Sequence, residues 1–270
     1  MADIVLTAGV RSNLLQLQKT SELITSTQTK LATGKRVNTA LDNPINFFTA
    51  QGLSNRASDL SNLLDSMSTA FNTIQAANNG ITSITKLVQT AQSLVSQAQQ
   101  TTDTTVRASL AAQFNSVLGQ ITQLAGDSGF NGINLLKGNA LTVTLNETGT
   151  SSVTISAVTY DSNGLGINNA TNNWADSAAI AAAGTNLTGA LTKLRSQAQA
   201  FGSSLSTVQI RQDFTKATIN TLQTGADALT LADSNEEGAN LLALQTRQQL
   251  STTALSLASQ ASQAVLRLFG

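Results

Sequence analysis

Residues 53–98 read LSNRASDLSNLLDSMSTAFNTIQAANNGITSITKLVQTAQSLVSQA. Leu53, Leu60, Met67, Ile74, Ile81, Val88 and Val95 fall seven apart without a miss. Three residues after each, from Leu60 onward, come Leu63, Ala70, Ala77, Ile84, Ala91 and Ala98. A repeat this sustained keeps one stripe turned to a partner helix and implies left-handed supercoiling. Alanine at four of these six positions lets the partner backbone come close, while Asn, Thr, Gln and Ser fill the other face. The spacing predicts one helix over about 48–100. At 1.5 Å per residue, 45 helical residues span about 68 Å, the dimension of a rod.

The pattern recurs outward from this stretch. Leu187, Leu191, Leu194, Ala198, Phe201, Leu205 and Val208 alternate steps of four and three; after Gln212 and Thr215 the series resumes at Ile219, Leu222, Ala226 and Leu229. Leu110, Phe114, Val117, Ile121 and Leu124 mark a shorter helix between the two long ones. Both chain ends carry heptads: Val10, Leu17, Ile24 and Leu31 near the start, with Ser21 and Gln28 among the intermediate positions, and Leu250, Ala254, Leu257, Ala261, Ala264 and Leu268 near the end. Such stripes cannot be buried by one helix alone. They need each other, a bundle or neighbouring copies, and the ends are therefore read as adhesive.

The middle changes character. Gly126, Gly129 and Gly132 punctuate a turn-rich connection over 126–138. Leu141, Val143 and Leu145, then Val153 and Ile155, alternate with polar residues on either side of Asn146-Glu147-Thr148-Gly149-Thr150, which predicts a β-hairpin over 140–159. An Asn- and Gly-rich loop over 161–174 and a short Ala-rich helix near 175–183 lead back to the second long helix. The expected fold is mainly α: an elongated antiparallel coiled coil and helical bundle built from the N- and C-terminal parts, with a small β-hairpin insertion in the middle. It divides into a terminal coiled coil (1–45 with 230–270), a helical core (46–139 with 185–229) and a short insertion (140–184). Core heptads are assigned to Leu53, Leu60, Met67, Ile74, Ile81, Val88, Leu187, Leu191, Leu194 and Phe201, and the adhesive seam to Val10, Leu17, Ile24, Leu31, Leu250, Ala254, Leu257, Ala261 and Leu268.

Composition closes off much chemistry. Of 270 residues none is Cys or His, which excludes disulfide scaffolds, thiol nucleophiles, zinc fingers and His-based acid–base pairs. Charged residues make up 11%, against about 25% in an ordinary domain, so uncharged polar side chains do the solvating. Fifteen bases balance fifteen acids. A neutral chain with one Trp and one Tyr lacks the basic footprint and stacking platform of nucleic-acid binders. No apolar run approaches the roughly 20 residues of a membrane span, and no cleavable signal peptide is visible. Zero net charge brings little mutual repulsion and favours association.

No catalytic, cofactor or metal residues are assigned. Asp233, Glu236 and Glu237 lack a general-acid partner or ligand set. Lys30, Lys35 and Arg36 surround Gly34, but Leu31-Ala32-Thr33-Gly34-Lys35 lacks the glycine spacing of a phosphate-binding loop. These bases are expected to pair with Asp233, Glu236 and Glu237 on another helix, where charge sets register more than affinity.

Three motifs in order carry a resemblance. Gln28-Thr29-Lys30-Leu31-Ala32-Thr33-Gly34-Lys35-Arg36-Val37-Asn38-Thr39-Ala40 resembles the signature of the bacterial flagellins. Phe130-Asn131-Gly132-Ile133-Asn134-Leu135-Leu136 is similar to the family's Phe-Asn-Gly element, and the run from Ala232 to Phe269 to its C-terminal helix. The resemblance covers roughly 1–139 and 185–270. It implies a structural subunit of the short-outer-domain type, exported through the flagellar type III apparatus, whose terminal coiled coil lines the inner tube of an extracellular filament. The implied partners are other copies of the chain, an export chaperone, and the filament cap and junction proteins, with no nucleic acid and no membrane insertion. The alternative is the hook–filament junction protein, which shares the terminal helices. Where relatives read Gln-Arg-x-Arg-Glu-Leu, the segment recognised by the vertebrate flagellin-sensing Toll-like receptor, this chain has Gln89-Thr90-Ala91-Gln92-Ser93-Leu94. Gln89 keeps the motif's first residue, while the changes at Thr90, Gln92 and Ser93 predict weak or absent recognition, because the charge-assisted bonds of those arginines and that glutamate are gone.

Overall fold

The computed structural model describes residues 8–269, and the side chains of 9–261, 263 and 264. Its elements in order are α1 (Ala8–Thr33), α2 (Pro44–Gln100), α3 (Thr104–Asp127), β1 (Leu141–Thr144), β2 (Ser152–Ile155), α4 (Ser162–Leu165), α5 (Ser177–Thr230) and α6 (Ser234–Phe269). They fall into two compact units, 1–55 with 221–270, and 56–220. The division lies near 55 and 221, about ten residues inside the sequence-based boundaries, and the hairpin segment belongs to the second unit.

In the first unit α1 and α6 pack antiparallel: the last turn of α1 meets the first turn of α6 through the 3.0 Å Lys30–Glu237 ion pair, and Ala232 N–H donates to Gly34 O at 3.0 Å. The inward stripe of α1 is Val10, Asn13, Leu17, Thr20, Ile24, Thr27 and Leu31, all buried or half-buried. Three of these seven residues are polar, and Thr20 is tolerated there because its hydroxyl donates to Gln16 O at 2.8 Å. Facing it on α6 are Glu237, Leu241, Leu244, Gln248, Ser251, Leu255 and Ala258, each half-buried. The seam residues read on α6 take another side of the helix. Leu250 and Leu257, 66% and 61% exposed, do not face α1, nor do the exposed Ala254 and Ala261; Leu268 lies outside the described side chains. At the start of α6 Glu237 meets Lys30. Heptad spacing from there carries positions 241, 244, 248, 251, 255 and 258 inward and leaves Leu250, Ala254, Leu257 and Ala261 outside.

The joint between these helices is built largely from backbone. Gly34 takes φ +68°, which suits a residue without Cβ, and Arg36 and Val37 N–H both reach Thr230 O, at 2.8 and 3.3 Å. The Arg36 guanidinium donates to the carbonyls of Ala228 and Leu229, satisfying orphan acceptors in the last turn of α5. Asn43 caps α2 by accepting from Asn46 N–H at 3.0 Å, and Pro44 occupies the first turn, where no amide proton is needed.

In the second unit one cluster of buried side chains runs through Met67, Ile74, Ile81 and Val88 of α2, Phe114, Leu118 and Ile121 of α3, and Leu187, Leu194 and Phe201 of α5. Leu60 and Leu191 are buried as well, and Leu53, which falls in the first unit, is half-buried. The hairpin pairs Leu141 with Ile155 and Val143 with Val153; Val143 and Ile155 join the core, as do Tyr160 and Trp174. Trp174 sits against Phe114 with ring centroids 4.9 Å apart. The residues expected to form a separate Ala-rich helix are the first turns of α5, which continues unbroken through Gly184. That glycine lies against α2, where an added Cβ would sit 3.5 Å from Val95.

The Phe130–Asn134 segment turns the chain after α3. Asn131 and Gly132 take φ +48° and +79°, and Phe130 and Ile133 exchange backbone bonds of 2.9 and 3.0 Å. Buried Asn134 then donates to the carbonyls of Ala125 and Gly126 at the end of α3 and accepts from Leu136 N–H. This turn needs Gly80 beneath it, since a Cβ there would overlap Ser128 Oγ.

Candidate assembly surfaces

The charge cluster read from the sequence is partly assembled. Lys30 pairs with Glu237. Asp233 instead caps α6, its Oδ1 accepting from Asn235 N–H at 2.8 Å and Glu236 N–H at 3.3 Å, and Glu236 is an exposed first-turn acid that favours the helix N-terminus. Arg36 caps α5, as above. Lys35 is exposed, its backbone bridging to Leu231. Of the three bases, then, Lys30 meets an acid, Arg36 fastens a helix end and the Lys35 side chain is exposed.

The loop joining α1 to α2 is ordered by Asp42. Its carboxylate accepts from Asn38 N–H (2.9 Å), Thr39 N–H (2.8 Å) and the Thr39 hydroxyl (3.2 Å). The backbone bonds of Thr39 and Asn38 hold its pKa below the usual carboxylate range. At the hairpin tip Arg56 Nε donates to Glu147 Oε1 at 2.5 Å. Hydrogen bonds from its own backbone and from Arg56 lower the Glu147 pKa. Buried Arg107 was not singled out by sequence reasoning. It donates to Thr101 O, Ala175 O and Ser177 Oγ, holding the α2–α3 turn against the start of α5.

The outer surface is apolar in stripes. Leu15 and Leu23 of α1 and Leu242, Leu250 and Leu257 of α6 are exposed, as are Leu41, Ile45 and Phe48 around the start of α2, and Ile210 and Phe214 on α5. Much of the remaining surface is Ser and Thr whose hydroxyls are bonded to the carbonyl four residues back, as at Thr69, Thr90, Ser93, Thr192 and Thr207. A hydroxyl already bonded to its own helix loses little when water is removed. Such a surface can be covered by another protein without stripping many charges.

A model of the bacterial flagellin N-terminal helical region matches residues 7–141, and one of the bacterial flagellin C-terminal helical region matches residues 185–269. The chain belongs to the bacterial flagellin family. It is similar to Flagellin FljM of Caulobacter vibrioides (strain ATCC 19089 / CIP 103742 / CB 15), 30% identical over 97% of this chain and 96% of that one. It is also similar to a flagellin of Brucella melitensis biotype 1, 25% identical over 100% and 99%. A crystal structure of Bacillus cereus flagellin aligns with a TM-score of 0.47 and 23% identity, covering 57% of this chain and 88% of that one. The two family models flank residues 142–184, the hairpin, α4 and the start of α5. Flagellins are exported structural subunits of the flagellar filament, and none of these findings favours the junction protein. Among the described residues no helix is long and apolar enough to cross a membrane. Of the receptor-segment positions, Gln89, Thr90 and Ser93 are exposed and Gln92 is half-buried, all on α2.

Proposed function

We propose that this flagellin builds its filament through the outer faces of α1 and α6, with the Leu250–Ala254–Leu257–Ala261 series meeting neighbouring copies. The observation that supports this reading is the division of α6 into two heptad faces. One faces α1 inside the chain; on the other, in the second half of the helix, Leu250, Ala254, Leu257 and Ala261 form an unbroken apolar run left at the surface. A monomer that exposed such a stripe without use would lose solubility for nothing; copies that bury it gain about 25 cal/mol per Å². The function is mechanical, with no catalytic step. The export chaperone is assigned the same C-terminal stripe before assembly, since one apolar face must be covered in storage and in the filament alike. Filament cap and junction proteins are assigned the ends of the growing polymer, and receptor recognition through 89–94 is weak or absent.

Seeded elongation tests the reading. Purified monomer is added to sheared filament fragments and followed by electron microscopy. Long helical tubes are expected from the wild-type chain and none from Leu257→Asp. Short stacks from the wild type would instead favour the junction role, and normal tubes from the variant would remove the stripe from the interface.

A further inference from the structure

An asparagine followed by glycine can close on the chain beyond it, because glycine has no Cβ to keep its nitrogen from the side-chain carbonyl. Closure needs a free side chain, a free glycine amide and room for the backbone to turn. The chain holds three such pairs, Asn79-Gly80, Asn131-Gly132 and Asn163-Gly164, and the fold treats them differently. Gly80 is buried inside α2, where the helical ladder occupies its amide, and Asn79 Oδ1 accepts from Gln75 Nε2 at 3.1 Å. Gly164 N–H donates to Asp161 Oδ1 at 2.6 Å, and the backbone is crowded there, since an added Cβ would overlap Thr159 O. Asn131 and Gly132 are both exposed, with nothing within 4 Å of a Cβ added at Gly132. They are the central pair of the turn closed by Phe130 and Ile133. Among the described residues neither the Asn131 side chain nor the Gly132 amide has a hydrogen-bond partner. Two backbone bonds hold this turn, so opening it costs far less than unravelling α2.

We propose that Asn131 is a site of spontaneous deamidation in the folded chain, converted ahead of Asn79 and Asn163. The Gly132 nitrogen, having given its proton to solvent hydroxide, attacks Cγ of Asn131. The N–Cγ bond forms, the Cγ–Nδ2 bond breaks, and Nδ2 takes a proton from water and leaves as ammonia. Water then opens the five-membered imide, its hydroxyl going to one of the two carbonyl carbons and its proton to the ring nitrogen. Opening at one carbonyl gives aspartate, at the other isoaspartate, and nothing is oxidised or reduced. Either product adds one negative charge to a chain whose fifteen acids balance fifteen bases. Aspartate tolerates the left-handed backbone at this position, φ +48°, so the turn survives it. Isoaspartate puts an extra methylene into the main chain and spoils the register of the Phe130–Ile133 bonds. The same turn delivers Asn134 to the carbonyls of Ala125 and Gly126, so isoaspartate loosens the end of α3. This chemistry belongs to the single chain and does not depend on the filament reading.

The test uses the full-length wild-type chain, folded and unassembled, held in mildly alkaline buffer and sampled over days. Peptide mapping by mass spectrometry follows the exchange of an amide for a carboxyl at each of the three pairs. A parallel sample in denaturant gives the rates without the fold. In denaturant the three pairs should convert at similar rates. In the folded chain Asn131 should convert at least about tenfold faster than Asn79 or Asn163, the difference that separate local openings impose. Conversion at Asn131 no faster than at either of the others overturns the proposal. A second measurement is the ammonia released by the folded chain, which should fall severalfold in Asn131→Asp, a variant that keeps the turn. Undiminished release from that variant would equally overturn it.

Discussion

Leu257→Ala measures the outer stripe of α6 without disturbing the monomer. The side chain is 61% exposed in the single chain, so its removal leaves no cavity there. Fully burying a leucine is worth about 1.5–3 kcal/mol relative to exposure; the exposed share that assembly would cover is therefore worth about 1–2 kcal/mol per copy. At 1.4 kcal/mol per factor of ten, the critical concentration for elongation should rise roughly 5- to 30-fold. Leu257→Asp adds the cost of an unpaired charge, several kcal/mol if dry, and should abolish growth at any workable concentration. The assay is the concentration of free chain left at equilibrium with seeded filaments, measured after sedimentation, with circular dichroism confirming an unchanged monomer. A critical concentration within twofold of wild type for Leu257→Ala would show that this face stays wet in the filament.

Other outcomes follow from particular contacts. Gly80→Ala should destabilise the 56–220 unit by about 1–3 kcal/mol through overpacking against Ser128, visible as a lowered melting temperature; an unchanged midpoint would mean that the turn after α3 can move aside. Asp42 has a folded pKa below its unfolded value, so the bonds it accepts stabilise the loop above the ordinary carboxylate range, and this contribution is lost as pH falls through the folded pKa. Amide exchange at Asn38 and Thr39 should quicken on that acid side in wild type. Asp42→Asn should exchange faster at neutral pH and lose the acid dependence, whereas identical profiles would disprove the role. Reporter cells carrying the flagellin-sensing Toll-like receptor should respond weakly or not at all to this monomer, and restoring arginine at Thr90 and Gln92 and glutamate at Ser93 should raise the response; a strong wild-type response would refute the charge argument.

The helices were legible because their signal is local and repeated. Seven-residue spacing from Leu53 to Val95 survives any particular partner, so α2 could be bounded within a few residues, and the hairpin declared itself by alternation on either side of a turn. The start of α5 was less clear: an Ala-rich run interrupted by Gly184 reads as a break when the neighbouring helix that it packs against is unseen. Asn134, Arg107 and Arg36 gave no warning at all. Each acts by satisfying carbonyls brought near by the chain's return, and a polar residue that caps a distant helix looks the same in sequence as one facing water.

What the sequence by itself determined is therefore the long helices and the hairpin, the family and the presence of two heptad series on the last helix. Which series turns inward was decided by tertiary structure. The Lys30–Glu237 contact and the backbone bonds joining residues 34–37 to 230–232 fix the rotation of α6 at its first turn, and a rigid helix carries that rotation to every later heptad. Periodicity specifies a face to within its own repeat, but only a contact at one end can say in which direction that face points.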